Sequence, residues 1–257
     1  MSALTLSLIQ ANLAWHDPER NHEVLSQHIQ RLPPSDVIVL PEMFSTGFSM
    51  DAAALAEPTD GPSVGWLRAQ ARATDAAVCG SLIVVEEGLY YNRFCWVTPD
   101  GALTTYDKRH LFRMAGEHEH YAAGASRCTV DFRGFRILPL VCYDLRFPVW
   151  SRNTQQYDLM IVVANWPTPR RTAWQTLLRA RAIENVSYVA GVNRVGEDGN
   201  GVPYGGDSAV INYLGKPLAT LAEVETHVSV TIERDPLMRF RDRFPFHLDA
   251  DTFALDD

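Results

Sequence analysis

Short apolar runs alternate with helix-like patterns along nearly the whole chain, and that alternation leaves few folds open. Strand candidates fall at 4–10, 36–41 ("DVIVLP"), 78–85, 91–98, 135–142, 158–164, 187–193, 208–213 and 227–232. Several are apolar on both faces, as strands covered on two sides are. Between them, 18–32 reads as a helix with Asp17 as N-cap and Pro18 in the first turn. Val24, Leu25, His28, Ile29 and Leu32 then share one face. A second helix begins near Pro62 and runs past Trp66, Leu67 and Ala71. A third fits 172–185, with Trp174, Leu177, Leu178 and Arg181 on one side. This order of elements implies an α/β fold with central sheets. The 257 residues, 46% hydrophobic and 21% charged, suffice for a substantial core.

The pattern carries a weak internal echo. "VTPDGALTTYDK" and "INYLGKPLATL" both read as strand, turn, strand, with Gly101 and Gly215 at the turns. Each follows a β-α-β region, as if two similar halves were joined. No Gly/Ser/Pro-rich linker separates them, so the expectation is one domain over 1–257. From about residue 234 the chain reads as a C-terminal arm whose Phe240, Phe244 and Phe246 need something to pack on.

Charge and cysteine usage narrow the function classes. A net charge of −8, with 31 acids against 23 bases, argues against a nucleic-acid partner. The N-terminal segment has no basic residue before Arg20, and Leu4, Leu6 and Leu8 alternate as in a strand rather than a signal peptide. Runs such as 159–164 are too short to span a bilayer. The expectation is therefore a cytoplasmic protein with no membrane partner, its thiols reduced. Cys79, Cys95, Cys128 and Cys142 contain no C-x-x-C pair, so no disulfide framework or zinc ribbon is indicated.

Three strand exits carry chemistry. Glu42 follows "VIVLP", Lys108 and Arg109 follow a hairpin, and Cys142 ends "LPLVCYDLRFP" before Tyr143, Asp144 and Arg146. Each has an ordinary alternative: a cap, a solvated charge, a core cysteine. Together they form a chemical set, because a thiol with a free pKa of about 8.5 attacks poorly without a base. A buried carboxylate can accept that proton, and a lysine beside it can hold an oxyanion. Their separation in sequence does not itself bring them together. Cys79 and Cys95 sit inside apolar strand patterns and read as core. Asp144 and Arg146 read as members of structural ion pairs.

The segments "LPEMF", "YDKRHLF" and "LVCYDLRFP" resemble, in order, the three signature segments of the nitrilase superfamily, the carbon–nitrogen hydrolases. The similarity continues through "NWP" at 165–167 and "LLRARAIENVSYVAGVNRVG" at 177–196, and its wording is nearest to the bacterial omega-amidase branch. The resemblance implies a four-layer α-β-β-α sandwich. It also implies Cys142 as nucleophile, Glu42 as general base and Lys108 as stabiliser of the oxyanion, with the Tyr143 backbone N–H as a further donor. A second glutamate follows the lysine segment in this family. Glu117 is the favoured match in "AGEHEHYAAG" and Glu119 its rival. No metal and no organic cofactor is implied, and the His118/His120 run reads as a solvated loop. Small amides carrying a carboxylate, such as 2-oxoglutaramate and 2-oxosuccinamate, are the implied substrates. A cation is then needed in the pocket, and Arg113, Arg170 and Arg171 are candidates, though each also reads as a surface arginine. Phe44, Phe48 and Trp166 are candidate apolar walls. Family likeness further implies a homodimer or larger homo-oligomer. A nitrilase, an N-carbamoyl amidase, a catalytically silent scaffold on the same fold and a thiol redox sensor are the rival readings.

Overall fold

The computed structural model describes residues 2–255. Its first large sheet runs, in spatial order, Thr226–Glu233, Ala3–Gln10, Val37–Val39, Ala77–Glu86, Leu89–Val97 and Leu103–Asp107, with Glu57–Pro58 added beside Ala77–Glu86. The second runs Pro217–Thr220, Ala209–Ile211, Tyr188–Asn193, Leu159–Ala164, Phe135–Val141 and Val130–Phe132. The two halves are built alike. Each contains three parallel strands, Ala3–Gln10 with Val37–Val39 and Ala77–Glu86, then Phe135–Val141 with Leu159–Ala164 and Tyr188–Asn193. Antiparallel strands follow in each, and Gly101 and Gly215 stand at the turns with φ of +87° and +75°. The echo in the sequence is thus an echo in the fold.

Side-chain alternation along the strands separates the layers. In the first sheet Leu4, Leu6, Leu8, Val37, Val39, Phe94 and Trp96 point into one core, shared with the second sheet. Ile9, Ile38, Val78 and Cys95 point the other way, against Leu25 and Ile29 of helix Pro18–Ile29 and Val64, Leu67 and Ala71 of helix Pro62–Thr74. Helix Arg171–Asn185 covers the second sheet through Trp174, Leu178 and Ala182. It lies so close to strand Tyr188–Asn193 that a Cβ on Gly191 would sit 2.6 Å from a Leu178 methyl. The result is the four-layer α-β-β-α sandwich. Among the described residues no helix is long and apolar enough to cross a membrane.

The C-terminal arm is partly a docked helix, Arg234–Arg243. Leu237 is fully buried, Phe240 packs on Tyr213 at 5.1 Å, and Arg241 reaches inward to Asp158 and to the carbonyls of Tyr157 and Val186. Beyond it, Phe244 and Leu248 are exposed.

The parallel strands of each half deliver their carboxyl ends to one edge of the sandwich. Open α/β sheets present their ligand sites at such ends. Glu42, Lys108, Cys142 and Asn165 all leave strands there.

Candidate active site

Cys142 is the first residue past strand Phe135–Val141 and takes φ +45°, a left-handed conformation that non-glycine residues seldom adopt. It opens the short 3-10 helix Cys142–Arg146, so the thiol is thrown out of the strand line by a sharp turn. Asp144 fixes that turn. Its buried carboxylate accepts the Val141 N–H at 3.1 Å and the Tyr106 hydroxyl at 2.7 Å, and it takes the His110 N–H at 3.0 Å with His110 Nδ1 at 2.8 Å. These contacts tie the Cys142 turn to the segment that carries Lys108.

Glu42 is fully buried two residues after Leu40, and Met43 after it has φ +43°. Lys108 Nζ donates to Glu42 Oε1 at 3.0 Å and to both Glu117 oxygens at 2.9 Å. The Asn92 side-chain amide donates to Glu42 Oε1 at 2.7 Å and to Glu117 Oε1 at 3.3 Å. On the other side the Asn165 backbone N–H donates to Glu42 Oε2 at 2.7 Å, and the Asn165 side chain holds the Glu42 carbonyl at 2.6 Å. Cys142 Sγ lies 4.0 Å from the Asn165 carbonyl oxygen.

Burial and charge act in opposite directions here. Burial, then the Glu42 carboxylate, push the Cys142 thiol well above its ordinary range, with Lys108 only partly opposing them. The resting group is a thiol. For Lys108, burial alone would favour the neutral amine, but Glu117, Glu42 and Cys142 outweigh it and raise the ammonium's pKa. Burial also raises the Glu117 carboxyl, against the pull of Lys108. The cluster therefore offers a fixed cation, a protonated sulfur and a carboxylate within reach of it.

A cavity of about 580 Å³ opens on this cluster, lined by Cys142, Lys108 and Asn165 together with Tyr143. Phe48, Phe112 and Trp166 supply aromatic walls. Two guanidinium groups face it. Arg146 lies 4.9 Å over the Trp166 ring and Arg170 lies 5.0 Å over the Phe112 ring. Neither makes an ion pair with a carboxylate among the described residues.

Several expectations need correction. Phe44 is not a cavity wall: it is fully buried against Trp66 and His22, where the helix layer meets the sheet, and Phe48 takes the wall instead. Arg171 is engaged by Asp207 at 2.9 and 2.8 Å and by Glu223 at 3.2 Å, so it has no free fork for a ligand. Arg113 is exposed on the turn Arg113–Ala115, outside the cavity lining. Arg146 is a cavity cation rather than half of an ion pair. The run "EHEH" is not a loop but one helical turn, Glu117–His120, which turns Glu117 inward and leaves Glu119 exposed. Among the described residues no group of three or more His, Cys, Asp or Glu could hold a metal ion.

Asn92 and Asn165 belong to the site and were not singled out for it in the sequence, and Arg146 was read there as half of an ion pair. The available signal for Asn92 was a polar residue in the middle of "LYYNRFCWV", where an apolar one would be expected.

The sequence model of the carbon–nitrogen hydrolase family matches residues 5–240. The chain is 50% identical over 256 residues to Omega-amidase YafV of Escherichia coli (strain K12), covering 99% of this chain and 100% of that protein. It is 31% identical over 247 residues to 2-oxoglutaramate amidase of Bacillus subtilis (strain 168), covering 94% and 95%. The crystal structure of XC1258 from Xanthomonas campestris, a CN-hydrolase superfamily protein with an arsenic adduct in its active site, superposes with a TM-score of 0.97. That protein is 49% identical, with 100% of each chain covered.

Proposed function

The chain belongs to the carbon–nitrogen hydrolase family and is an amidase-type hydrolase, and from that premise we propose that it removes the terminal amide of small carboxylate-bearing amides. This is the omega-amidase reaction, converting 2-oxoglutaramate or 2-oxosuccinamate to the 2-oxo dicarboxylate and ammonia. One observation carries the reading: a cavity joins the Cys142–Lys108 cluster to two guanidinium groups that have no carboxylate partner among the described residues. The likeness to proteins named omega-amidase and 2-oxoglutaramate amidase supports the same choice.

In this mechanism Glu42 takes the proton from Cys142 as sulfur bonds to the amide carbon, which the raised thiol pKa makes necessary. The oxyanion is held by the Lys108 ammonium and the Tyr143 backbone N–H, and such a donor contributes about 3–4 kcal/mol in the transition state. Protonated Glu42 passes its proton to nitrogen, the C–N bond breaks, and ammonia leaves a thioester on Cys142. Water then gives a proton to Glu42 and attacks the thioester, with Glu117 keeping Lys108 and Glu42 in register. The C–S bond breaks and the thiol regains its proton. Arg146 and Arg170 take the substrate carboxylate.

The whole chain acts as one catalytic unit with its C-terminal arm. It works in the cytoplasm, in keeping with four cysteines that stay unpaired. It functions as a homodimer or larger assembly, for which the exposed Phe244 and Leu248 supply apolar surface.

The test is ammonia release from 2-oxoglutaramate, 2-oxosuccinamate, glutamine, asparagine, an N-carbamoyl amino acid and a simple nitrile. Preferential turnover of the two oxo-acid amides is expected. Turnover confined to the nitrile or the N-carbamoyl compound would reassign the substrate, and silence across the panel would favour a scaffold.

A further inference from the structure

Within the buried cluster, two nitrogen donors bridge the same two oxygens. Lys108 Nζ and Asn92 Nδ2 each contact Glu42 Oε1 and Glu117 Oε1, at 3.0 and 2.9 Å for the lysine and 2.7 and 3.3 Å for the asparagine. The four atoms form a closed ring. Two carboxylate oxygens do not approach one another in this way unless donors stand between them, because like charges repel strongly where solvent is excluded. Lys108 supplies one positive charge for two carboxylates. The second donor comes from a strand that has no other reason to carry an amide: Asn92 is fully buried between Tyr91 and Arg93. Its Oδ1 is buried and finds no donor among the described residues. An unpaired buried acceptor is a cost to folding, and such exceptions call for an explanation in function.

We propose that Asn92 is a positioning residue for the catalytic base, its side-chain amide bridging Glu42 and Glu117 so that Glu42 stays aimed at Cys142. The inference rests on the proposed roles of Cys142 and Glu42. A donor to a carboxylate favours the charged form, and only charged Glu42 can take the thiol proton. Lys108, Glu117, Cys142 and the hydroxyls of Tyr121 and Tyr204 are the other titratable groups around Glu42, on four separate segments of the chain. Among these, Lys108 alone contributes a positive charge. Losing the Asn92 donor leaves the carboxylate pair under-compensated and Glu42 less firmly aimed, and activation of the Cys142 thiol is then lost at a higher pH than in the wild type.

Two variants and two readouts test this. Asn92→Asp keeps the shape and replaces the donor with a third carboxyl group; Asn92→Ala deletes the amide and serves as its partner, with circular dichroism confirming that each folds. The pH dependence of kcat/KM is measured beside the pH dependence of Cys142 alkylation by iodoacetamide. Alkylation reads thiol activation without any amide substrate, so an error in the substrate assignment leaves it intact. In both variants the acid limb of both profiles is expected to move up by about one pH unit or more, a tenfold loss of rate on the limb. KM is expected to change little while kcat falls. Profiles that superimpose on the wild type, with kcat retained, would overturn the inference. If wild-type alkylation itself has no acid limb, the base assignment of Glu42 falls and this inference falls with it.

Discussion

Cys142 combines a left-handed backbone with a thiol that resists ionisation, and both properties follow from its position at the end of a buried strand. Strain of this kind persists where surrounding contacts over-determine it, and Asp144 with its four donors does so here. At the other end of the cavity Arg146 and Arg170 rest on aromatic faces, which hold a guanidinium in place while leaving its N–H groups for a ligand. Replacing either by Met is expected to raise KM for 2-oxoglutaramate about tenfold or more, the scale of a charge-assisted hydrogen bond. KM for a neutral amide of similar size should change little in the same steady-state assay. Equal changes for both substrates would move the carboxylate contact elsewhere. Glu42, Lys108 and Cys142 could be singled out in the sequence because each stands at the exit of a strand or hairpin inside a signature segment. Arg146 was misread because charge two residues from Asp144 suggests an ion pair. Only the fold shows that Asp144 is saturated by Tyr106, His110 and Val141. Phe44 and Phe48 could not be told apart by residue type, since the bend at Met43 to Gly47 decides which one meets the cavity.

Among the elements, the short helix Cys142–Arg146 and the segment after strand Leu103–Asp107 behave as one unit through Asp144. Asp144→Ala would leave several buried donors unpaired. It is expected to lower stability by about 3 kcal/mol or more and to reduce kcat more than KM, measured by urea unfolding and steady-state kinetics. An unchanged kcat would mean that the Lys108 segment holds its place without Asp144. Next to the cavity-lining Trp15 and His16, Asp17 caps helix Pro18–Ile29 by accepting the Arg20 N–H at 3.0 Å. Asp17→Ala should cost about 1 kcal/mol of stability, read as a lower urea midpoint. The Asp17 cap was readable from residue type, and the three long helices and the parallel strands of each half from periodicity. The hairpin Val195–Glu197 with Pro203–Gly205 was not, because "VGEDGNGVPYG" has too few apolar residues to alternate. Asn92 was hidden by register: whether a polar residue in a strand faces solvent, core or a cluster depends on partners that the sequence does not order.

Across the whole molecule, the doubled architecture packs two sheets face to face, each with its own set of parallel strands, and buries the core between them, so the site depends on both halves. That burial has a consequence for pH. The Cys95 thiol is pushed up to about 12 and the Cys128 thiol to about 11 from an ordinary 9.0, chiefly by burial in each case. The unfolded chain therefore loses these protons first. Their contribution to stability is intact below pH 9 and declines as pH rises from 9 toward 11 and 12, at roughly 1.4 kcal/mol per unit and thiol. Urea midpoints are expected to fall over this window, and Cys128→Ser should flatten the fall between pH 9 and 11. A midpoint independent of pH there would mean that the thiols are accessible in the folded state. The central claim, that Cys142 is the nucleophile, is tested most directly by ammonia release from 2-oxoglutaramate by the Cys142→Ala protein, with its fold verified by thermal melting beside the wild type. The expected result is an unaltered fold and a loss of turnover on the order of a thousandfold or more; turnover within tenfold of the wild type would contradict the mechanism.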